Sequence, residues 1–242
     1  MEARIYIGTS GWHYKHWRGL FYPKELPTSA WLDFYAKLFN TVELNNSFYH
    51  LPPVTAFDTW RDKTPARFVF AVKGSRFITH MKKLKDPESS TPKFFSGANR
   101  LEIKLGPVLF QLPPRWKVNE ARLDEFLSAI ERRHHYAIEF RDDSWYKREV
   151  YEILKRHNAA LCLHDLGGKQ SPMEITSSFT YIRFHGPTQA KYSGSYSDTQ
   201  LRTWAERFNT WRPKLKGIYA YFNNDVGGFA PNNALKLKSL LE

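Results

Sequence analysis

The chain has 242 residues, of which 42% are hydrophobic and 16% aromatic. This composition supplies a large core and excludes an intrinsically disordered protein, and the length suits a single domain over residues 1–242. No run approaches the roughly 18 consecutive apolar residues that a membrane span requires. Charged residues lie among the first residues of the chain, and Gly8 and Gly11 follow them directly. This order does not match the long apolar segment of a signal peptide. We therefore expect a cytoplasmic protein with no membrane partner.

Basic residues outnumber acidic ones by 36 to 24, which gives a formal charge of +12. The excess favours phosphate-bearing or polyanionic partners, although a solvated basic surface produces the same count. Cys162 is the only cysteine, so the sequence excludes an intramolecular disulfide and a zinc site built on several thiolates. It lies in the apolar run 159–163, a pattern that predicts a buried strand residue rather than a nucleophile.

Short apolar runs and stretches with helical spacing alternate along the chain. The runs are rich in Val, Ile, Phe and Tyr, and they predict strands at 4–8, 41–44, 68–73, 107–112, 136–140, 159–163, 180–185 and 217–222. Apolar residues recur between them at a spacing typical of amphipathic helices, and Asn119 and the pair Ser197 and Gln200 predict helix caps. Strands that alternate with helices pair in parallel, and eight of them close a barrel.

The sequence therefore predicts one (β/α)₈ TIM-type barrel with two irregular regions. Residues 165–178 contain Gly167, Gly168 and Pro172, which leave room only for a short or irregular sixth helix. Residues 74–106 form a long connection with Pro87 and Pro92, which predicts a lid or a broken third helix. An open doubly wound sheet is the alternative, but the first strand is not followed by the glycine-rich fingerprint of that fold.

Charged and polar residues concentrate where the predicted strands end, and in a βα barrel the loops after those ends build the active site. Glu139 and Arg141 lie two residues apart on one strand face, as do Arg183 and His185, while the intervening positions are apolar. The candidate catalytic residues share this placement and are Glu43, Lys73, Glu139, Arg141, Asp165, Arg183 and His185.

We expect these residues to divide the chemistry of one pocket. Lys73, Arg141 and Arg183 would hold an anion, and Glu43 or Glu139 would move a proton. Asp165 would orient either His185 or an arginine. His185 would exchange a proton near neutral pH. No cofactor is predicted; the alternative is a divalent metal held by His164, His185, Asp165 and Glu43. A second alternative gives the charged residues only a structural role, as an internal salt-bridge network.

Aromatic and amide side chains just beyond the strand ends are candidates for substrate contacts. Aromatic rings can stack on bases or sugars, and they can equally pack the loops onto the barrel rim. With the polar residues beside them, the candidate substrate-binding residues are Ser10, Trp12, Tyr14, Asn45, Tyr49, His80, Gln111, Trp145, Tyr192, Tyr196, Asn223, Asn224 and Asp225.

Several of these segments resemble the YecE-like family, also called domain of unknown function seventy-two. The matching segments run in order through nearly the whole chain: 8–12, 17, 21–23, 39–45, 48–49, 78–80, 105–106, 111–114, 139–141, 144–145, 161–162, 165, 181–186, 192, 194, 196–197, 221–225, 228 and 230. The resemblance implies a TIM-type barrel and one site at the strand ends, and it implies no established reaction. Residues 89–100 depart from the family pattern, because Ser, Pro, Gly and Asn interrupt the expected third helix.

We therefore hypothesise an enzyme that acts on an anionic, phosphate-bearing substrate by acid–base chemistry, as a hydrolase or lyase. The alternatives are a non-catalytic nucleic-acid binding protein, whose basic rim and aromatic residues would grip a strand, and a metal-dependent phosphodiesterase or endonuclease. The family has been compared with barrel endonucleases, and a nucleic-acid substrate would suit the basic charge of the chain. The expected partner is an anionic small molecule or a nucleic acid.

Overall fold

Eight parallel strands form one sheet that curves into a nearly closed barrel. The structure is a computed structural model and describes residues 2–189 and 192–242. Neighbouring strands follow the order β1-β8-β7-β6-β5-β4-β3-β2. Their bounds are β1 Arg4–Thr9, β2 Thr41–Leu44, β3 Val69–Lys73, β4 Leu105–Gln111, β5 Tyr136–Glu139, β6 Ala160–Leu166, β7 Phe179–Phe184 and β8 Gly217–Phe222.

Helices connect the strands and cover the outside of the barrel. They are α1 Trp31–Leu38, α2 Asn46–Tyr49, α3 Val54–Lys63, α4 Pro87–Ser90, α5 Pro92–Ala98, α6 Glu120–Ala129, α7 Arg148–Arg156, α8 Asp198–Trp211 and α9 Phe229–Ser239. Within the described part of the chain, none is long and apolar enough to cross a membrane. The predicted caps are confirmed: Asn119 accepts from the Arg122 N–H, and Ser197 and Gln200 form a capping box.

The predicted fold is confirmed, and all eight strands lie within a few residues of their expected bounds. The connection after β3 is a broken helix rather than a lid. It contains a π-helical turn, Phe77–Met81, the short helices α4 and α5, and a 3₁₀ segment, Asn99–Lys104. Its apolar residues are buried against the barrel, Ile78 and Leu101 among them. After β6 the chain makes a two-residue antiparallel strand, Lys169–Gln170, in place of the expected short or irregular sixth helix.

Side-chain alternation separates an outer core from the barrel interior. Ile138, Phe140, Ile182 and Phe184 face the helices and belong to the large core between sheet and helices. The interior holds a second cluster, which includes Leu109, Phe179 and the tyrosines Tyr181, Tyr219 and Tyr221. Cys162 is buried within this cluster, as predicted. The ionic residues discussed below lie above this cluster, at the carboxyl ends of the strands.

A tyrosine hydroxyl joins β1 to β2 at the seam where the sheet ends meet. The buried Tyr35 hydroxyl accepts from the Thr9 backbone N–H at 2.9 Å and donates to the Thr41 carbonyl at 3.1 Å. It therefore satisfies two backbone groups that a strand ladder would otherwise pair. Gly8 permits this close approach, because a Cβ at that position would lie 2.3 Å from the Thr41 oxygen.

Tyr35→Phe should weaken this seam without changing the volume of the core. The substitution leaves two buried backbone groups without a partner, so we expect a loss of about 1–3 kcal/mol in the free energy of unfolding. Urea titration measures the loss. Tyr136→Phe is the control, since it removes one partly buried hydrogen bond to the Glu131 carbonyl. Equal losses in the two variants would contradict the bridging role.

Candidate functional site

The top layer of the barrel interior is built around Arg183 of β7. Its guanidinium donates from Nη1 to Glu139 Oε2 at 2.8 Å, and from Nη2 and Nε to Glu43 Oε1 at 2.8 and 3.2 Å. Glu43 also accepts from the Ser10 hydroxyl and from the Tyr181 hydroxyl, each at 2.6 Å. Arg183 is 1% exposed and both carboxylates are fully buried. One cation from β7 thus joins carboxylates from β2 and β5 across the barrel.

Arg141 extends this network toward solvent. One of its Nη atoms pairs with Glu139 Oε1 and lies 3.1 Å from Nε2 of His185. The Asn223 side-chain amide nitrogen lies 3.0 Å from the other ring nitrogen, Nδ1. The Arg141 side chain is 12% exposed, and its buried Nε has no hydrogen-bond partner among the described residues. Arg141 is therefore the guanidinium of this network that a bound anion can reach.

Lys73, at the end of β3, is buried in a different manner from the arginines. It is 7% exposed, its Nζ donates to Gln111 Oε1 at 2.8 Å, and it lies 4.2 Å from the centroid of the Phe48 ring. Among the described residues, no carboxylate lies within salt-bridge distance of this ammonium. Buried lysines are rare unless they are paired, so Lys73 stands out.

Lys104 shows how a lysine of purely structural role is buried in the same protein. It is 8% exposed, close to the value for Lys73. Its Nζ donates to the Thr64 carbonyl at 2.6 Å and to the Thr64 hydroxyl at 3.2 Å, beyond the end of α3. Basic groups stabilise helix ends in this way, by donating to the last carbonyl oxygens. Lys73 differs in the number of its acceptors: it donates to one oxygen, that of Gln111, whereas Lys104 donates to three oxygens of Arg61 and Thr64.

The arginines hold both carboxylates in the charged form. Burial alone would raise the pKa of Glu139, but the charges of Arg141 and Arg183 outweigh it, and the pKa lies well below its ordinary value. For Glu43 burial is likewise outweighed, by Arg183 and by the hydrogen bonds from Ser10 and Tyr181, so its pKa is lowered. Both groups are therefore poor proton acceptors at neutral pH.

Lysine and histidine pKa values in the site are lowered. Burial, reinforced by the charge of Arg183, lowers the pKa of Lys73 to about 8. Burial and the same arginine hold the pKa of His185 well below its ordinary value, which argues against our expectation that His185 exchanges a proton near neutral pH. Burial also lowers the pKa of His164, and that of His80 to about 4. Lys73 is thus a group of this site whose pKa, at about 8, lies close to neutrality.

The structure brings most of the predicted residues to one mouth. Ser10 lies beneath this mouth, and the Tyr192 ring lies 5.5 Å from that of His185. The floor and walls are formed by Glu43, Lys73, Gln111, Glu139, Arg141, Arg183, His185 and Asn223. Six further predicted residues lie on the segments around the mouth: Trp12, Tyr14, Asn45, Tyr49, His80 and Asp225. Asp225 accepts from the Trp17 indole there and contacts His16.

Four predicted site residues lie elsewhere, and these placements correct the expectation. Asp165 faces the outer helices, because the alternation of β6 turns its neighbour His164 inward; its carboxylate accepts from Gln170 at 3.3 Å. Trp145 is fully buried, stacks on Phe140 and donates to the Trp116 carbonyl at 2.7 Å.

Tyr196 and Asn224 complete these corrections. The Tyr196 hydroxyl accepts from the Gly186 N–H at 3.1 Å, and its ring packs on Phe184 in the outer core. Asn224 is fully buried and donates to the Gly194 carbonyl and to Asn233, both at 2.8 Å. These residues hold loops against the barrel. Position after a strand end therefore does not establish that a side chain faces the mouth.

Sequence reasoning missed three residues that shape the site. Tyr181 lies two positions before Arg183 on the same strand face, so alternation was the signal that would have revealed it. Phe48 lies beneath the Lys73 ammonium, and Trp60 of α3 packs edge-on against Trp12. Only the tertiary fold brings these two rings to the mouth.

The four residues of the alternative metal site are not brought together as one ligand set, although the His164 and His185 rings lie 6.3 Å apart. Glu43 is surrounded by donors from Ser10, Tyr181 and Arg183, and Asp165 faces away from the interior. Over residues 2–189 and 192–242, no group of three or more His, Cys, Asp or Glu side chains is arranged to hold a metal ion. The arginine-rich surroundings of Glu139 fit an anion better than a cation.

Comparison with known proteins places the chain in a family. The family model described as "Protein of unknown function DUF72" matches residues 6–242. The chain belongs to the DUF72 family. Its relatives include the UPF0759 protein YunF of Bacillus subtilis, 27% identical over 98% of this chain and 95% of that protein. The UPF0759 protein YecE of Escherichia coli K12 is 29% identical over 63% of this chain and 54% of that protein.

Solved DUF72 structures share the whole fold. A DUF72 family protein from Thermotoga maritima has 31% sequence identity and a TM-score of 0.86, with 98% of both chains covered. One from Enterococcus faecalis has 20% identity and a TM-score of 0.81, over 98% of this chain and 95% of that one. The predicted family resemblance and TIM-type fold of this DUF72 protein are thereby confirmed.

Arg183→Met should destabilise this DUF72 protein severely. The variant leaves Glu43 and Glu139 buried without their shared cation, so we expect a loss of about 3–5 kcal/mol in the free energy of unfolding, measured by urea titration. Arg202→Met, on the exposed face of α8, is the control and should change it by less than about 0.5 kcal/mol. A loss below about 1 kcal/mol for Arg183→Met would contradict the central role of this residue.

Proposed function

We propose that this DUF72 protein is an enzyme that binds a small anionic, phosphate-bearing substrate at the barrel mouth and acts on it by acid–base chemistry. The observation that carries the proposal is the buried ammonium of Lys73, which faces a neutral amide beside Arg141. Burying an unpaired cation opposes folding, and proteins retain such groups where function uses them. A substrate anion would supply the missing negative charge.

Charge balance supports an anionic ligand. The two carboxylates, Glu43 and Glu139, are offset by the two arginines, Arg141 and Arg183, so Lys73 remains as a positive charge. Arg183 is covered and saturated by carboxylates, so it organises the layer rather than touching the substrate. Arg141 presents the reachable guanidinium, and such planar forks suit phosphate or carboxylate oxygens.

Lys73 is the best-suited group for the proton step. Its pKa of about 8 leaves it mostly protonated at pH 7, with an accessible amine form. The ammonium would donate a proton to a substrate oxygen on which negative charge develops, and the amine would take one back to complete a cycle. Gln111 and Asn223 would hydrogen-bond the substrate, because Gln111 contacts Lys73 and Asn223 contacts His185 at the mouth.

Substituting the two reachable cations should separate binding from stability. Arg141→Gln and Lys73→Met should each weaken binding of inorganic phosphate, measured by calorimetry, by roughly 10–100-fold, because each removes a charge-assisted hydrogen bond. Lys73→Met should also be at least as stable as the wild type, since it removes a buried unpaired charge. Arg202→Gln is the binding control. Unchanged phosphate affinity in both site variants, or no phosphate affinity in the wild type, would overturn the proposal.

Anion affinity should also depend on the charge of Lys73. Because burial places its pKa at about 8, we expect affinity to be highest below pH 8 and to fall as the ammonium loses its proton at higher pH. Sulfate is the probe, since it does not titrate in this range. Lys73→Met should abolish the pH dependence, whereas Lys214→Met, an exposed control, should retain it. A pH dependence that persists in Lys73→Met would assign it to another group.

Catalysis is tested by turnover of phosphate-bearing compounds. Compounds that raise the melting temperature of the wild type are assayed for conversion by wild type and by Lys73→Met. Conversion by the wild type that is lost in this folded variant would support an enzyme that uses Lys73. Conversion at equal rates by both proteins would remove Lys73 from the mechanism. Salt-sensitive binding of single-stranded DNA, with no binding of small phosphates, would favour the nucleic-acid binding alternative.

A further inference from the structure

An aromatic groove lies beside the mouth, between the loops that follow β1 and β2. We use this name for the space lined by Ser10, Trp12, Tyr14, Leu44, Asn45 and Trp60. Its volume is about 460 Å³, and its walls are mostly apolar, in contrast to the ionic mouth. The network described above does not use these rings, and the proposed function assigns them no role.

The walls of the aromatic groove are held in place before any ligand binds. The Trp12 and Trp60 rings meet edge to face, with centroids 5.5 Å apart and planes at 86°. Trp60 packs in turn on the buried Phe57, at 5.1 Å. The Tyr14 hydroxyl donates to the Ser10 carbonyl at 2.6 Å, which fixes its ring on the opposite side. Rigid aromatic walls of this kind bind flat rings at a low cost in conformational entropy.

Asn45 gives the aromatic groove a polar contact. Asn45 lines the space, and its buried Oδ1 has no hydrogen-bond partner among the described residues. An amide presents both a donor and an acceptor, which matches the edge of a heteroaromatic ring. A purely apolar ligand would leave this amide without a partner, so the groove favours a ring that carries nitrogen or oxygen atoms on its edge.

Two short segments of the chain border both the aromatic groove and the mouth. Ser10 lines the groove and donates to Glu43 in the ionic layer at 2.6 Å. Asn45 lines it as well, and three residues later Phe48 lies beneath the Lys73 ammonium. A ligand whose anionic group lies at Lys73 would therefore have the aromatic groove on the side of the mouth formed by Ser10 and the segment after β2.

We propose that the aromatic groove binds a flat heteroaromatic ring of the substrate whose phosphate occupies the mouth. This inference rests on the proposed function and narrows its substrate class to phosphorylated compounds of nucleoside monophosphate type. The ring lies against Trp12 and Trp60 with its edge at Asn45, and the phosphate lies at Arg141 and Lys73.

Four probes test the inference by calorimetry with the full chain: adenosine 5′-monophosphate, uridine 5′-monophosphate, ribose 5-phosphate and inorganic phosphate. Stacking of a base on aromatic side chains changes affinity by roughly 5–150-fold. We expect at least one monophosphate to bind more tightly than ribose 5-phosphate by a factor in this range. Trp60→Ala should remove that advantage and leave the affinity for ribose 5-phosphate unchanged, which also shows that the variant is folded.

Two further variants guard against indirect effects. Asn45→Leu keeps the side-chain size and should reduce the preference for the ring-bearing probes. Trp211→Ala, on α8 far from the groove, is the matched control and should retain it. Equal affinity of the wild type for the ring-bearing probes and ribose 5-phosphate would overturn the inference and leave the proposed function standing. Binding of adenosine through Trp60, with no affinity for the phosphates, would retain the ring subsite and overturn the proposed function.

Discussion

The fold of this DUF72 protein depends on one buried cation, Arg183, held between two carboxylates from distant strands. Taking three charges out of water is costly, and only close pairing with full hydrogen bonding offsets the cost. Ser10 and Tyr181 complete the shell of Glu43, so the pairing draws β1, β2, β5 and β7 together at one end of the barrel. The interior below it is apolar and aromatic, which leaves the ionic layer as the polar element of the barrel interior.

This arrangement divides the cations of the mouth into two kinds. Arg183 is occupied by carboxylates and stabilises the layer. Arg141 and Lys73 lie above it, the first with a partly exposed guanidinium and the second with an ammonium that donates to an amide and lies over the Phe48 ring. An internal salt-bridge network and a functional site are therefore not exclusive interpretations here. The network supplies a rigid, charged floor, and the two remaining cations supply the groups that we assign to the substrate.

The seam of the barrel and the aromatic groove are parts of one region. Tyr35 joins the ends of β1 and β2 through Thr9 and Thr41, and the loops that leave these strands carry the walls of the groove. Thr9 is followed directly by Ser10, and Leu44 ends the strand that Thr41 begins. The bridge therefore fixes the two strands from which the groove walls extend.

The sequence by itself determined the strands, the alternation of eight strands with helices and the common end at which polar residues gather, because hydrophobic periodicity and strand alternation are local properties. It also placed Glu139 with Arg141 and Arg183 with His185 on shared faces. Only the tertiary structure decided which charges pair, because Glu43, Glu139 and Arg183 lie far apart in the chain. It likewise turned Asp165 outward, buried Trp145 and brought Trp60 to Trp12. These outcomes depend on three-dimensional neighbours, and so does the pKa of Lys73, which is set by burial rather than by residue type.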